Sequence, residues 1–168
     1  MEVTNNMPSA GDTMTFSNGE DDETYMSPSA RCVLFTLENE TYGIQVKKIR
    51  EVLRVGEIRK VAGTPYNVLG VINVRGVIVT VIDLRLMYGM PQKEIGDLSR
   101  IIIVELDEER AVGILVDFVL EVKDIPEVKI ESLSATKENA SRYIQGIAHF
   151  QDNVIILIDV DSMFMGQD

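Results

Sequence analysis

Gly43-Ile44-Gln45-Val46 and Gly113-Ile114-Leu115-Val116 are one short motif met twice, 70 residues apart. The likeness continues in register: Ile49 falls on Val119, Glu51 on Glu121 and Val52 on Val122. A second block repeats at a spacing of 76, with Gly70-Val71 on Gly146-Ile147, residues 78–84 on 154–160, Asp83 on Asp159, and Met87-Tyr88 on Met163-Phe164. Apolar residues coincide easily by chance. Gly, Glu and Asp in register do so far less often, and the chain reads as two copies of one unit.

Around these motifs, short β-branched runs recur between turn signals. They lie at 32–37, 41–46, 51–54, 70–74, 77–82, 101–106, 111–116, 118–125, 144–150 and 154–158. Arg75-Gly76 reads as the tight turn of one hairpin and 107–110 as that of another. Helices are few. Residues 83–88 and 159–165 each open on an Asp able to cap, and 46–50 suit a single helical turn. The fold class is mainly β, with five-stranded units forming small barrels or a sandwich. The division is an acidic tail at 1–30, a first unit at 31–90, a linker at 91–98 and a second unit with a C-terminal helix at 99–168. A domain of ~60 residues buries only ~60% of its unfolded surface, so the two units are expected to share an apolar core. Gly43, Gly70, Gly113 and Gly146 read as bulges or corners where no side chain fits.

The 168-residue chain carries 16 Lys+Arg against 27 Asp+Glu, a formal charge of −11. Residues 1–30 hold six acids, no base and no apolar period, the pattern of a disordered tail. The rest is polarised: residues 47–60 carry a net +4 and residues 105–138 a net −6. Net acidity argues against a generic nucleic-acid or anionic-membrane binder. The +4 segment alone supports the alternative reading, a small-barrel nucleic-acid or ligand-binding module. No apolar run reaches the ~18–20 residues of a membrane span, and residues 1–10, with Glu2 and no base, do not read as a signal peptide. Cys32 is the one cysteine and His149 the one histidine, which excludes an internal disulfide and a poly-His metal centre. Cys32 suits a core position. His149 has no nucleophile or orienting acid beside it. Asp83 and Asp159 read as helix caps, not as a catalytic pair, and no glycine loop for a nucleotide is present. The expectation is a protein without enzymatic activity, cofactor or metal.

Two features stand apart from an ordinary core. Arg75 sits in the turn Asn73-Val74-Arg75-Gly76, where the second copy has Gln151, so the repeat itself does not demand an Arg. That asymmetry points to a partner contact. The apolar series Ile44, Val46, Ile49, Val52 and its copies Ile114, Val116, Val119, Val122 exceeds what two small units need inside, so some of it is expected to line a groove. A basic first copy and an acidic second copy also suit head-to-tail association, which builds rings or filaments.

Taken together, Tyr42-Gly43-Ile44, Glu51-Val52, Thr64-Pro65, Gly70-Val71, the run Asn73-Val74-Arg75-Gly76-Val77-Ile78-Val79, Asp83-Leu84-Arg85, Gly113-Ile114-Leu115-Val116-Asp117 and the stretch from Gly146-Ile147 to Asp159 resemble the chemotaxis coupling protein (CheW) family over about 31–165. One departure is Thr80, where the family usually has Pro. The resemblance implies two tandem SH3-like five-stranded β-barrels packed together. It implies a cytoplasmic, non-enzymatic signalling adaptor that joins the tips of methyl-accepting chemoreceptors to the regulatory domain of the histidine kinase CheA, at membrane-associated arrays. It implies ring-type association and no insertion into the membrane. By position, the receptor-binding residues would be Ile49, Glu51, Val52 and Arg75 from the first copy, with Ile101, Val119 and Val122 from the second. At 168 residues the expectation is the stand-alone coupling protein, without the receiver or kinase domain to which relatives of this fold are fused.

Overall fold

All ten expected strands form, their ends displaced by at most three residues. The computed structural model describes Met14–Thr15, residues 28–132 and residues 143–164. In chain order the strands are β1 (Met14–Thr15), β2 (Ser29–Leu37), β3 (Glu40–Gln45), β4 (Ile49–Arg54), β5 (Val68–Val74) and β6 (Val77–Asp83). After the short helix α1 (Leu84–Met87) come β7 (Arg100–Glu105), β8 (Ala111–Val116), β9 (Phe118–Pro126), β10 (Ile130–Ser132), β11 (Ile144–Phe150) and β12 (Asn153–Ile158), then α2 (Val160–Phe164). The single helical turn expected after β3 is a 3-10 turn at Val46–Lys48. β1 and β10 were not anticipated. The acidic tail lies largely outside the described residues, except that β1 forms within it and β2 opens at Ser29.

The strands build two six-stranded sheets, in the orders β1-β4-β7-β8-β6-β5 and β10-β11-β12-β3-β2-β9. The expectation of closed five-stranded barrels is corrected on both points: among the described residues each sheet has six strands, and each ladder ends at two strands that are not joined to each other. The copies also exchange strands. β6 of the first copy pairs in parallel with β8 of the second, from Thr80 opposite Val112 to Asp83 opposite Leu115. β12 of the second pairs in parallel with β3 of the first, with Ile155 opposite Thr41. β4 to β8, contiguous in the chain, thus make one sheet with β1, while β2 and β3 join β9 to β12 in the other. The segment 91–98 connects α1 to β7 within the first sheet.

Burial follows this exchange. Each sheet curls over a core of its own, with Ile72, Val79, Val81, Ile101, Ile103 and Leu115 in the first. Cys32, Leu34, Ile125, Ala148, Ile155 and Leu157 fill the second. A larger shared core lies between them, built from Val33, Phe35, Ile44, Ile49, Val52, Ile102, Ile114 and Val119 with Leu84 and Phe164 from the helices. This is the common core that two small units require, and it takes most of the repeated apolar series.

Local chemistry repeats as well. Arg75 and Gly76 have φ of 51° and 89°, and Gln151 and Asp152 have 54° and 66°. Two successive residues with positive φ make the type I′ turn that matches strand twist. Asp83 accepts from the Arg85 N–H at 3.0 Å, and Asp159 from the Ser162 N–H at 3.1 Å, so both act as caps. A Cβ on Gly70 would stand 2.3 Å from the Arg59 carbonyl oxygen, and one on Gly146 2.7 Å from that of Glu131. At both corners another backbone crosses where a side chain would be.

Candidate functional site

β4 is the first-copy strand that holds three of the seven candidates, and its residues face different ways. Ile49 and Val52 are buried in the shared core. Glu51 turns the other way and is 1% exposed. A carboxylate is costly to bury without a partner, and here the partner is Arg75, whose guanidinium Nη2 donates to Glu51 Oε2. Glu51 Oε1 has no hydrogen-bond partner among the described residues. The Arg75 side chain itself is 65% exposed. The β5–β6 turn thus carries a cation that faces solvent while anchored from behind by a buried anion.

The other candidates spread over both sheets. Ile101 of β7 is buried in the core of the first sheet. Val119 of β9 is buried in the shared core, and Val122 is partly buried against it. The structure therefore brings together Glu51 with Arg75, and Ile49 with Val52, Val119 and Val122 around the core between the sheets. Of the seven, only Arg75 is mainly exposed, with Val122 partly so. A groove of about 530 Å³ lies elsewhere, lined by Arg50, Val77, Ile78, Arg110 and Phe164 among others, and none of the seven lines it.

The asymmetry at Arg75 has an internal cause that the residues alone did not show. In the second copy Glu121, the match of Glu51, is exposed. Lys123 reaches both Glu121 Oε2 at 4.0 Å and Gln151 Oε1 at 3.0 Å. An exposed carboxylate needs no dedicated guanidinium, so Gln151 suffices there. Arg75 is required by the burial of Glu51, whatever else it touches.

A second polar cluster escaped the sequence reading. Arg85, 5% exposed on α1, makes a bidentate pair with Asp117 at 3.0 Å to each oxygen. It also reaches Glu38 at 2.8 Å and donates to the Pro91 carbonyl at 2.9 Å. The Asp117 hydrogen bonds hold the guanidinium protonated, against its burial. Burial alone would push Asp117 up, but the Arg85 hydrogen bonds, the Glu38 N–H and the charges of Arg85 and Lys93 hold it below the usual carboxylate range. On the opposite helix, Asp161 of α2 pairs with Lys48 at 2.8 Å. Arg85 and Asp161 are matched positions of the repeat, so each helix is tied to a loop of the other copy's pattern with the charges reversed. The signal was in the sequence: Arg85 and Asp117 both sit in quoted motifs, but nothing local joins them.

The family model described as the CheW-like domain matches residues 31–167. The chain is 32% identical over 140 residues to the chemotaxis protein CheW of Klebsiella aerogenes, covering 81% of this chain and 82% of that one. It is 29% identical over 134 residues to the chemotaxis protein CheW of Bacillus subtilis, covering 79% and 85%. The crystal structure of the scaffolding protein TtCheW from Thermoanaerobacter tengcongensis superposes with a TM-score of 0.75 at 34% identity, covering 83% of this chain and 95% of that one.

Proposed function

This chain belongs to the CheW-like domain family, a chemotaxis scaffold and adaptor family, and on that premise we propose that it couples chemoreceptor cytoplasmic tips to the regulatory domain of the histidine kinase CheA without catalysing a reaction. The observation that carries the reading is Arg75. A guanidinium fixed by a buried carboxylate is presented to solvent at low entropic cost, which suits it to a carboxylate or carbonyl on a receptor helix. In this reading Arg75 is the polar contact and Glu51 its positioning residue. Val122 offers an apolar margin, while Ile49, Val52, Val119 and Ile101 hold the strands beneath in place. A helical partner would lie along that face with a few aliphatic anchors.

Among the described residues no helix is long and apolar enough to cross a membrane. The proposed workplace is the cytoplasm, at receptor arrays, reached through the partners. The +4 of residues 47–60 against the −6 of 105–138 supports ring-type association in alternation with CheA or with further copies. Co-sedimentation with receptor-tip fragments and, separately, with the CheA regulatory domain tests the proposal. Binding to both is expected, and binding to neither overturns it. If raising salt from about 0.05 to 0.5 M leaves the assembly unchanged, its electrostatic part fails.

A further inference from the structure

β4 ends the first sheet on one side except for what the N-terminal segment adds to it. Met14 pairs with Val52 and Thr15 with Glu51, antiparallel. An uncovered strand edge is a template for other strands, and this one is covered by the chain itself. The covering strand is two residues long, and so short a ladder is marginal alone. It is also tethered. Residues 16–28 join β1 to β2, and thirteen extended residues reach about 45 Å, so the strand can leave and return at a high effective concentration.

Charge favours the same seat. The segment 1–30 holds six acids and no base. Across 47–60, Lys47, Arg54, Arg59 and Lys60 are exposed and have no ion pair among the described residues. Lys48 and Arg50 are already engaged by Asp161 and Glu105.

We infer that the N-terminal segment is the resident occupant of the β4 edge, held by strand addition at Met14–Thr15 and by attraction of its acids to the unpaired cations of 47–60, and that it competes with the partner helix for that face. The competition rests on the receptor reading above; the occupancy does not. A built-in competitor lowers affinity for scattered receptor tips and is overcome where tips are concentrated.

The test uses the full chain. One variant carries Met14→Pro and Thr15→Pro, which remove two backbone donors and disfavour the strand. A second neutralises Glu20, Asp21, Asp22 and Glu23 as Gln or Asn. Without any partner, hydrogen exchange at those amides of residues 50–53 that face β1, and not at those that face β7, is expected to rise at least five-fold in the proline variant. Receptor-tip fragments are expected to bind both variants three- to ten-fold more tightly than the parent at low salt. Unchanged exchange overturns the occupancy. Faster exchange with unchanged receptor affinity overturns the competition. Absence of receptor binding in every variant overturns the adaptor reading and the competition with it, while exchange still decides whether β1 holds the edge.

Discussion

Replacing Arg75 by Ala would strand Glu51. The carboxylate is 1% exposed, Oε1 has no hydrogen-bond partner among the described residues, and Oε2 would lose its one cation. Removing one member of a buried pair costs about 3–5 kcal/mol. Arg75 is 65% exposed, so water would enter the vacated space, and the lower figure of about 2–3 kcal/mol for an orphaned charged group is the better guide. A protein of this size loses about 2–4 °C of melting temperature per kcal/mol, which gives a drop of about 4–12 °C. Glu51→Gln in the Arg75→Ala background removes the stranded charge and should recover most of it. Thermal unfolding followed by circular dichroism on the two single variants and the double variant closes the cycle. A melting temperature for Arg75→Ala within 1 °C of the parent, or no recovery in the double variant, would refute the reasoning. The same three proteins separate the two roles of Arg75. If it contacts a receptor directly, the double variant is stable and still binds receptor tips weakly. Arg75→Glu is a poorer probe than the turn position alone suggests, because it sets a second carboxylate against a buried one.

Asp117→Asn should cost about 3 kcal/mol, the low end for a broken buried pair because Glu38 still reaches Arg85 at 2.8 Å; chemical denaturation measures it. Because Asp117 titrates below its unfolded value of about 3.9, its contribution is present above that pH and is lost as pH falls through the folded value, so the parent's acid unfolding curve should be steeper than that of Asp117→Asn. Gly70→Ala should destabilise by about 2 kcal/mol or more and by more than Gly146→Ala, since both meet a carbonyl oxygen but only Gly70 has a positive φ, +151°; paired unfolding curves decide the order. Cys32 is buried, and burial, then the charge of Asp124, pushes its thiol up to about 12, so thiol reagents should label it only as fast as the sheet opens; rapid labelling of the native protein would contradict its place in the core.

The repeat made much of this legible. β-branched runs between turn signals located ten strands, both helix caps and the Arg75-Gly76 turn, and Gly, Glu and Asp in register paired them into two copies, because these features depend on a few residues at fixed spacing. Strand exchange was hidden for a physical reason. β6 pairs with β8 and β12 with β3, and the apolar faces they present would pack equally well on a sheet built within one copy. Alternating burial fixes which face of a strand points inward; it is indifferent to which neighbour supplies the hydrogen bonds. β10 is only three residues long and left no periodicity to read. The apolar series pointed to a groove for the related reason that a shared core between two sheets consumes more apolar positions than two separate cores do.

The copies have diverged where the shared fold leaves them free to. Their turns, caps and crossing backbones match, so the scaffold constrains both alike. Their charges do not match. Glu51 is buried and tied to Arg75, while Glu121 is exposed beside Lys123 and Gln151. Arg85 ties α1 to Asp117, while Asp161 ties α2 to Lys48 with the signs exchanged. A duplicated scaffold with equal faces would bind one kind of partner twice. Among the described residues the first copy presents a cation anchored by a buried carboxylate, whereas Lys123 and Arg110 of the second pair with exposed ones, and the N-terminal strand lies on the first copy's β4 edge. The two copies thus differ at matched positions, one with a buried anchor and a strand on its edge and the other with exposed pairs, the asymmetry that the proposed connector between two unlike partners needs from a symmetric fold.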